Sequence, residues 1–335
     1  MAETQMPETQ IRTVDLIVPC YNEGLSLARF FEEARGAISK MPQYEFRIIF
    51  VDDGSADDTL EIISGYSRDY ENVEYISFSR NFGKEAAIYA GLKNSTGDCA
   101  AIIDADLQHP PAMLADMLHA IDSEGYDCCS ARRVSRKGEP KIKSFFSVLF
   151  YKLINSMSEV EITEGAVDFR MMTRQMVRAV LALSEVQRFS KGIFAWVGFK
   201  TKWLDFHNIE RVAGKTKFSL WKSFKYALEG ITSFTTVPLR FASLAGLAIS
   251  LFSFVLIVYE LVKTIVLGTE APGYPSTFIM LLLIGGIMLL SCGILGEYLA
   301  RMYMETKNRP VYIERRTSFR RDRDGGEGGD GGGDK

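Results

Sequence analysis

The chain has 335 residues, with 39 Lys+Arg against 42 Asp+Glu and a net charge of −3, so bulk charge argues neither for nor against nucleic acid, and no nucleic-acid partner is expected. The five cysteines (Cys20, Cys99, Cys128, Cys129 and Cys292) show no CxxC spacing and sit in apolar runs, which reads as reduced thiols. With only three histidines, a His-built zinc site is disfavoured.

The length accommodates one large domain and a smaller part. The first twenty residues lack the basic, then apolar, then small-residue order of a signal peptide, so this end is expected in the cytosol, with residues 1–13 as a tail. From Val14 onward, "VDLIVPCYN", "FRIIFVDD", "VEYISFS", "CAAIIDAD" and "DCCSARR" read as strands rich in Val and Ile. Between them, "GLSLARFFEEARGAISK", "ADDTLEIISGYSRD", "GKEAAIYAGLKNS" and "PAMLADMLHAIDSEG" read as helices. This alternation predicts an α/β fold, a mostly parallel sheet with helices on both faces.

Ligands in such sheets bind at the carboxyl ends of the strands. "PCYNEG", "DDGSADD", "SRNFGK" and "DADLQHPP" follow the first four strands, so four polar loops converge on one edge. Each alone has a plainer reading, since Gly54-Ser55 can turn the chain and Asp52, Asp53 or Asp57 can cap a helix. No GxGxxG follows the first strand and no GxxxxGK[ST] is present, which disfavours a dinucleotide oxidoreductase and a P-loop enzyme.

The fourth loop is the most informative. Alternation along an extended segment would put Asp104, Asp106 and Gln108 on one face. Two carboxylates held close repel unless a cation sits between them, and such oxygen ligands suit Mg²⁺ or Mn²⁺ carrying a diphosphate. The alternative is a helix cap, with Pro110-Pro111 opening the next helix; a cap accounts for one acid, not two.

Further along, "PKIKSFFSVLFYKLIN" (140–155) and "SLWKSFKYALEGITSFTTVPLR" (219–240) have helical apolar spacing with lysines nearby. Leu220, Trp221, Phe224, Ala227, Leu228 and Ile231 predict an interfacial amphipathic helix over 219–237; the earlier stretch suits an interface or a core helix equally. "FASLAGLAISLFSFVLIVY" (241–259) and "TFIMLLLIGGIMLLSCGILG" (277–296) carry no charge and each has about the 20 residues a bilayer span needs. They predict a two-helix transmembrane hairpin over 238–299. Basic residues flank both outer ends and the connecting loop holds only Lys263, which puts both termini in the cytoplasm of a cell bounded by this membrane. Residues 300–323 read as a cytosolic segment, and the Gly- and acid-rich 324–335 as a disordered tail.

In order and spacing, "VPCYNEG", "VDDGSADDT", "RNFGKEAAIYAGL" and "DADLQHPP" resemble the inverting glycosyltransferases of family 2, which have the Rossmann-like GT-A fold. "DFRMM", "RFSKGIFAWVGF", "ERVAGKTKFS" and the two spans ending in "GEYLARMY" resemble more narrowly the polyprenyl-phosphate glycosyltransferases, of the bactoprenol glucosyltransferase and dolichol-phosphate mannosyltransferase kind. The similarity runs from about Val14 to Tyr312 and implies a catalytic domain over 14–218. It implies that Asp104, Asp106 and Gln108 hold Mg²⁺ or Mn²⁺, and that Pro19, Tyr21, Glu23, Val51, Asp53, Ala105 and Arg132 contact the nucleotide-sugar. Arg211 and Lys217 match a basic pair that closes over the diphosphate and the acceptor phosphate. Asp168 matches a position assigned as catalytic in bacterial members, although some relatives carry a small residue there; a base or an orienting group are both open.

The resemblance implies transfer of one sugar from a nucleotide-sugar, UDP-glucose by the "DFRMM" subgroup, to undecaprenyl phosphate at the cytosolic face of the plasma (inner) membrane. It also implies a homo-oligomer. GDP-mannose or a modified aminosugar donor is the alternative within this class. A non-catalytic sugar-nucleotide-binding membrane protein is the alternative outside it. The QxxRW signature of processive members is absent, which favours single-sugar transfer.

Overall fold

The computed structural model describes residues 12–134, 155, 163–183, 185–186, 188–206, 235, 237–267 and 274–319. Arg211, Lys217, the 140–154 stretch, all of the expected interfacial helix except Thr235 and Val237, and the 324–335 tail lie outside the described residues. The chain divides into two compact units, one comprising residues up to Leu107 and from Tyr312 onward, the other Gln108–Val311.

In the first unit the strands are β1 (Arg12–Cys20), β2 (Tyr44–Asp52), β3 (Val73–Phe78), β4 (Cys99–Ile102) and β8 (Glu314–Thr317), in the order β4-β1-β2-β3-β8. β1 pairs with β2 in unbroken parallel register from Arg12↔Tyr44 to Cys20↔Asp52. β4 and β3 add in parallel on either side, and β8 closes the far edge antiparallel to β3. Val14, Leu16, Ile17 and Val18 are all fully buried, the mark of a central strand covered on both faces. The crossovers are α1 (Gly24–Ile38), α2 (Thr59–Asp69) and α3 (Lys84–Asn94). Right-handed connections put α1 and α2 on one face and α3 on the other, because the chain moves outward from β1 to β3 and then returns past β1 to β4. Phe31 stacks on Tyr66 at 4.1 Å and Phe30 meets Phe50 edge-on at 6.4 Å, tying α1, α2 and β2 together.

Asp15 is a buried charge at the end of the sheet away from the strand-end loops, and it is fully partnered. Arg47 grips it through two bonds of 2.8 and 2.9 Å, and the Thr96 and Gly97 amides donate to it at 2.6 and 2.8 Å. Without those partners the desolvated carboxylate would destabilise the core by several kcal/mol, roughly 3–5.

In the second unit β5 (Cys128–Arg133) runs parallel to β7 (Thr201–Phe206) and antiparallel to β6 (Ala166–Thr173), with a register shift between Ser130 and Arg132. The fifth strand is therefore not part of a purely parallel array, and the sheet is mixed. A single 3₁₀ turn (Pro111–Met113) leads into α4 (Leu114–Asp122), so the double proline does open a helix. α5 (Arg174–Ala182) and α6 (Ser190–Trp196) follow β6; the Thr173 hydroxyl caps α5 by accepting from the Met176 amide at 3.4 Å.

The chain then forms α7 (Val237–Leu267) and α8 (Tyr274–Thr306), of 31 and 33 residues. At 1.5 Å per residue each is about 45–50 Å long, more than the roughly 30 Å hydrocarbon core of a bilayer. Both are long and apolar enough to cross a membrane, with windows of mean hydropathy 1.9 and 1.8. Phe241 is 70% exposed, Ile265 76% and Leu289 75%, which rules out a pair of buried core helices. Near the end of α8 the Glu305 carboxylate accepts from the Val186 amide at 3.0 and 3.1 Å, tying that helix to the segment between α5 and α6.

Candidate active site

The parallel register of β4, β1, β2 and β3 brings four strand ends to one edge of the first unit, and the loops there are fixed to one another by side chains. Asn22, in left-handed backbone (φ 53), donates its amide to the Ser55 hydroxyl at 2.9 Å and accepts from the Ala56 amide at 2.8 Å. The Glu23 amide donates to the Thr59 hydroxyl at 2.9 Å and the Gly24 amide to Asp57 at 3.1 Å. Burial pushes the Asp57 carboxyl up, but hydrogen bonds from the Thr59 side chain and amide and from the Gly24 amide outweigh it and hold it below the usual range.

Three acids of "DDGSADD", Asp52, Asp53 and Asp57, thus do loop work. Asp52 accepts from the Ser55 amide (3.0 Å) and the Ser77 hydroxyl (2.7 Å). Asp53, 3% exposed, accepts from the Phe82 amide at 2.6 Å and the Gly83 amide at 2.9 Å. Burial nevertheless dominates and raises its carboxyl to about 6, the two amides only partly compensating. Between them Gly54 (φ +66) lies so close to Arg80 that a Cβ there would be 2.5 Å from the Arg80 carbonyl carbon.

Of the residues expected at the nucleotide, Pro19 and Glu23 are partly exposed and Tyr21 is 40% exposed, all at the end of β1. The Glu23 carboxylate accepts from the Ser26 hydroxyl at 2.8 Å. Val51 and Ala105 are 0% and 2% exposed, so their side chains belong to the core.

β4 ends at Ile102, so the acids do not ride on a strand as expected. They sit in the turn that follows, which closes on Leu107 in left-handed backbone (φ 59), uncommon for a residue with a Cβ. The alternation still holds in burial: Asp104, Asp106 and Gln108 are partly exposed, while Ala105, Leu107 and His109 are buried. Asp104 and Asp106 each offer a carboxylate oxygen within 4.8 Å of the other. At an effective dielectric of about 20, two like charges at that spacing repel by about 3 kcal/mol, so a cation beside them is favourable. A hard oxygen pair fits Mg²⁺ or Mn²⁺. The Lys84 ammonium, from the first residue of α3, lies 2.7 and 2.9 Å from the two oxygens of Asp104.

In the second unit, Arg132 on β5 makes a two-pronged ion pair with Asp205 on β7, at 2.7 and 3.1 Å. That hydrogen-bonded pairing holds the Arg132 guanidinium above its usual range and the Asp205 carboxyl below its own. Asp168 is a partly exposed residue of β6, and Gln108 is the first residue of this unit. His109, a further candidate ligand, has its buried ring packed against Phe206 and Phe169 at 5.2 and 5.7 Å.

The sequence reading missed Lys84 and Asp205. A lysine opening a helix runs against the helix dipole, and that misplacement was the available signal for the first. Asp205 had none, because its partner is set by the register of β7, which shows no strong strand pattern.

Residues 15–181 match glycosyl transferase family 2. The chain is 42% identical over 300 residues to the protein CsbB of Bacillus subtilis (strain 168), covering 90% of each. It is 40% identical over 303 residues to the prophage bactoprenol glucosyl transferase homolog of Escherichia coli (strain K12), and 40% identical over 300 residues to the bactoprenol glucosyl transferase of Shigella phage SfX, in each case covering 90% of this chain and 98% of the relative. Among solved structures it is similar to a Pyrobaculum calidifontis mannosyltransferase in complex with GDP-Man and Mn²⁺, with a TM-score of 0.47 and 17% identity over 90% of this chain and 88% of that one. A mostly parallel sheet, paired acids beyond its fourth strand and relatives matched along nearly their whole length agree: this chain is a glycosyltransferase and belongs to glycosyltransferase family 2.

Proposed function

We propose that the protein transfers a single glucose from UDP-glucose to a polyprenyl phosphate, undecaprenyl phosphate, at the cytosolic face of the membrane. The observation that carries this reading is the Asp104–Asp106 pair at the strand ends of a chain that bactoprenol glucosyl transferase relatives match over 90% of its length.

Asp104, Asp106 and Gln108 would hold Mg²⁺ or Mn²⁺, which when bound there would neutralise charge on the departing diphosphate. Pro19, Tyr21, Glu23, Val51, Asp53 and Ala105 form or support the nucleotide seat, with Val51 and Ala105 acting through the backbone because their side chains are buried. Arg132, Arg211 and Lys217 suppress repulsion between two anionic substrates, which joining a phosphate to a nucleotide-sugar requires. A lipid phosphate oxygen attacks the anomeric carbon, the bond from that carbon to the diphosphate breaks, and UDP leaves with inversion. A phosphate monoester has a second pKa near 6, so the acceptor is already mostly dianionic at neutral pH and needs little help in losing a proton. Asp168 accordingly orients the sugar or the nucleophile rather than abstracting a proton.

The membrane part follows from α7 and α8. Two crossings with basic residues at both outer ends keep the 14–218 catalytic domain and both termini on the cytosolic side, where a polyprenyl phosphate presents its head group. The 219–237 sequence has the apolar spacing and the lysines that suit a membrane interface.

Purified protein incubated with radiolabelled UDP-glucose and undecaprenyl phosphate should give a lipid-extractable labelled product that requires Mg²⁺ or Mn²⁺. Product from GDP-mannose alone would move the donor assignment, and none from any nucleotide-sugar would leave a non-catalytic binding protein.

A further inference from the structure

Lys84 has no role in the scheme above, yet its ammonium straddles both oxygens of Asp104, at 2.7 and 2.9 Å. Two features make this pairing informative. Lys84 opens α3, where a positive charge opposes the helix dipole, so helix stability does not account for a lysine there. The pair is also only partly exposed, 41% for the lysine and 23% for the aspartate, at the turn that carries both acids.

We propose that Lys84 is an internal counter-ion that a divalent ion must displace from Asp104, and that the displaced ammonium then pairs with the diphosphate of the nucleotide-sugar. The inference rests on the metal site of the preceding reading. Its physical basis is a competition at one carboxylate. A doubly charged ion at about 2.1 Å attracts Asp104 roughly two and a half times as strongly as a single charge at the ammonium distance, so the ion wins once it arrives. The lysine nevertheless weakens ion binding, both by its bond to Asp104 and by like-charge repulsion. A diphosphate changes the balance, because it brings the negative charge that the displaced ammonium needs. Ion and nucleotide therefore bind cooperatively, and by linkage each tightens the other by the same factor. Lys84 is a positioning residue that suppresses ion binding without nucleotide and helps seat the diphosphate with it.

The test is Mn²⁺ binding to the full-length protein in detergent, followed by the loss of the free-ion electron paramagnetic resonance signal, without and with UDP. Lys84→Gln should bind Mn²⁺ on the order of five-fold more tightly than wild type without nucleotide, the scale of one partly exposed ion pair. It should lose most of the tightening that UDP produces in wild type. Lys84→Arg, which keeps the charge, should stay within about two-fold of wild type in both arms, as expected where charge rather than shape acts. Equal Mn²⁺ affinity in wild type and Lys84→Gln, with binding abolished by Asp106→Asn, would overturn the counter-ion role and leave the metal site standing. No Mn²⁺ binding by any of these proteins, with or without UDP, would overturn the metal site and the counter-ion role together.

Discussion

Replacing Gly54 by alanine isolates one contact on which the strand-end loops depend. The residue has a φ of +66, and an added Cβ would lie 2.5 Å from the carbonyl carbon and 2.9 Å from the Cα and carbonyl oxygen of Arg80. Two costs arise. Left-handed backbone costs an alanine roughly 1–2 kcal/mol. In addition, carbon atoms prefer separations of about 3.5 Å or more, so the Arg80 backbone must retreat by about 1 Å. Three residues on, the Gly83 amide is one of two that bond the buried Asp53 carboxylate, the other being Phe82 at 2.6 Å. A retreat of that size stretches at least one of these bonds past useful length, and a hydrogen bond to a charged group contributes about 1.5–3 kcal/mol. The expected loss is about 3–5 kcal/mol, measurable as a fall in the urea midpoint of unfolding, with UDP affinity by calorimetry down at least about ten-fold. Gly125→Ala is the control: its φ is +68, but a Cβ there meets nothing within 4 Å, so only the backbone term of about 1–2 kcal/mol applies and UDP affinity should hold. Equal losses in the two variants, or unchanged UDP binding in Gly54→Ala, would refute the account of a mutually fixed loop set.

Asp53 makes stability depend on pH with a definite sign. Its folded carboxyl is raised from 3.8 to about 6, so the protonated group stabilises the fold at low pH, and that stability is lost as pH rises through about 6; the loss is up to about 3 kcal/mol. Wild type minus Asp53→Asn, compared by melting temperature at pH 5 and pH 7.5, should show this decline, and a flat difference would place the carboxyl at its ordinary value. Asp168→Asn should lower the transfer rate by a factor that stays constant from pH 5.5 to 8.5 if the residue orients a substrate; loss of an acidic limb would mark a base, and an unchanged rate would remove it from both roles. Tyr312 stacks on Phe78 at 4.8 Å and meets Tyr89 edge-on at 6.3 Å, so Tyr312→Ala should destabilise the first unit by about 2 kcal/mol and expose the β3 edge to protease; a loss below about 0.5 kcal/mol would mean that β8 does not hold that edge.

The sequence by itself determined the features whose cause is local. Val14 and Leu16 to Val18 read as a strand because branched apolar residues dominate that run, and the structure buries them all. The two long uncharged runs had to become helices with an outward apolar surface, since no charged residue interrupts them. The acids at 104 and 106 were legible because alternation predicts which side chains stay accessible, and that alternation survives although β4 stops at Ile102.

Only the tertiary structure decided which charge meets which. Asp52 and Asp53 could have been helix caps or ligand groups; register places Ser77 beside one, and the third loop presents its amides to the other. Arg132 meets Asp205, 73 residues away, and Tyr75 donates its amide to the Ser318 hydroxyl, 243 residues away, when β8 closes the sheet edge. A short polar strand such as "ERRT" carries no apolar pattern to announce itself, because its stability comes from the β3 edge it covers rather than from its own side chains. Lys84 and Asp104 meet for the same reason: α3 and the turn after β4 are brought together by the order of strands, which no window of sequence contains.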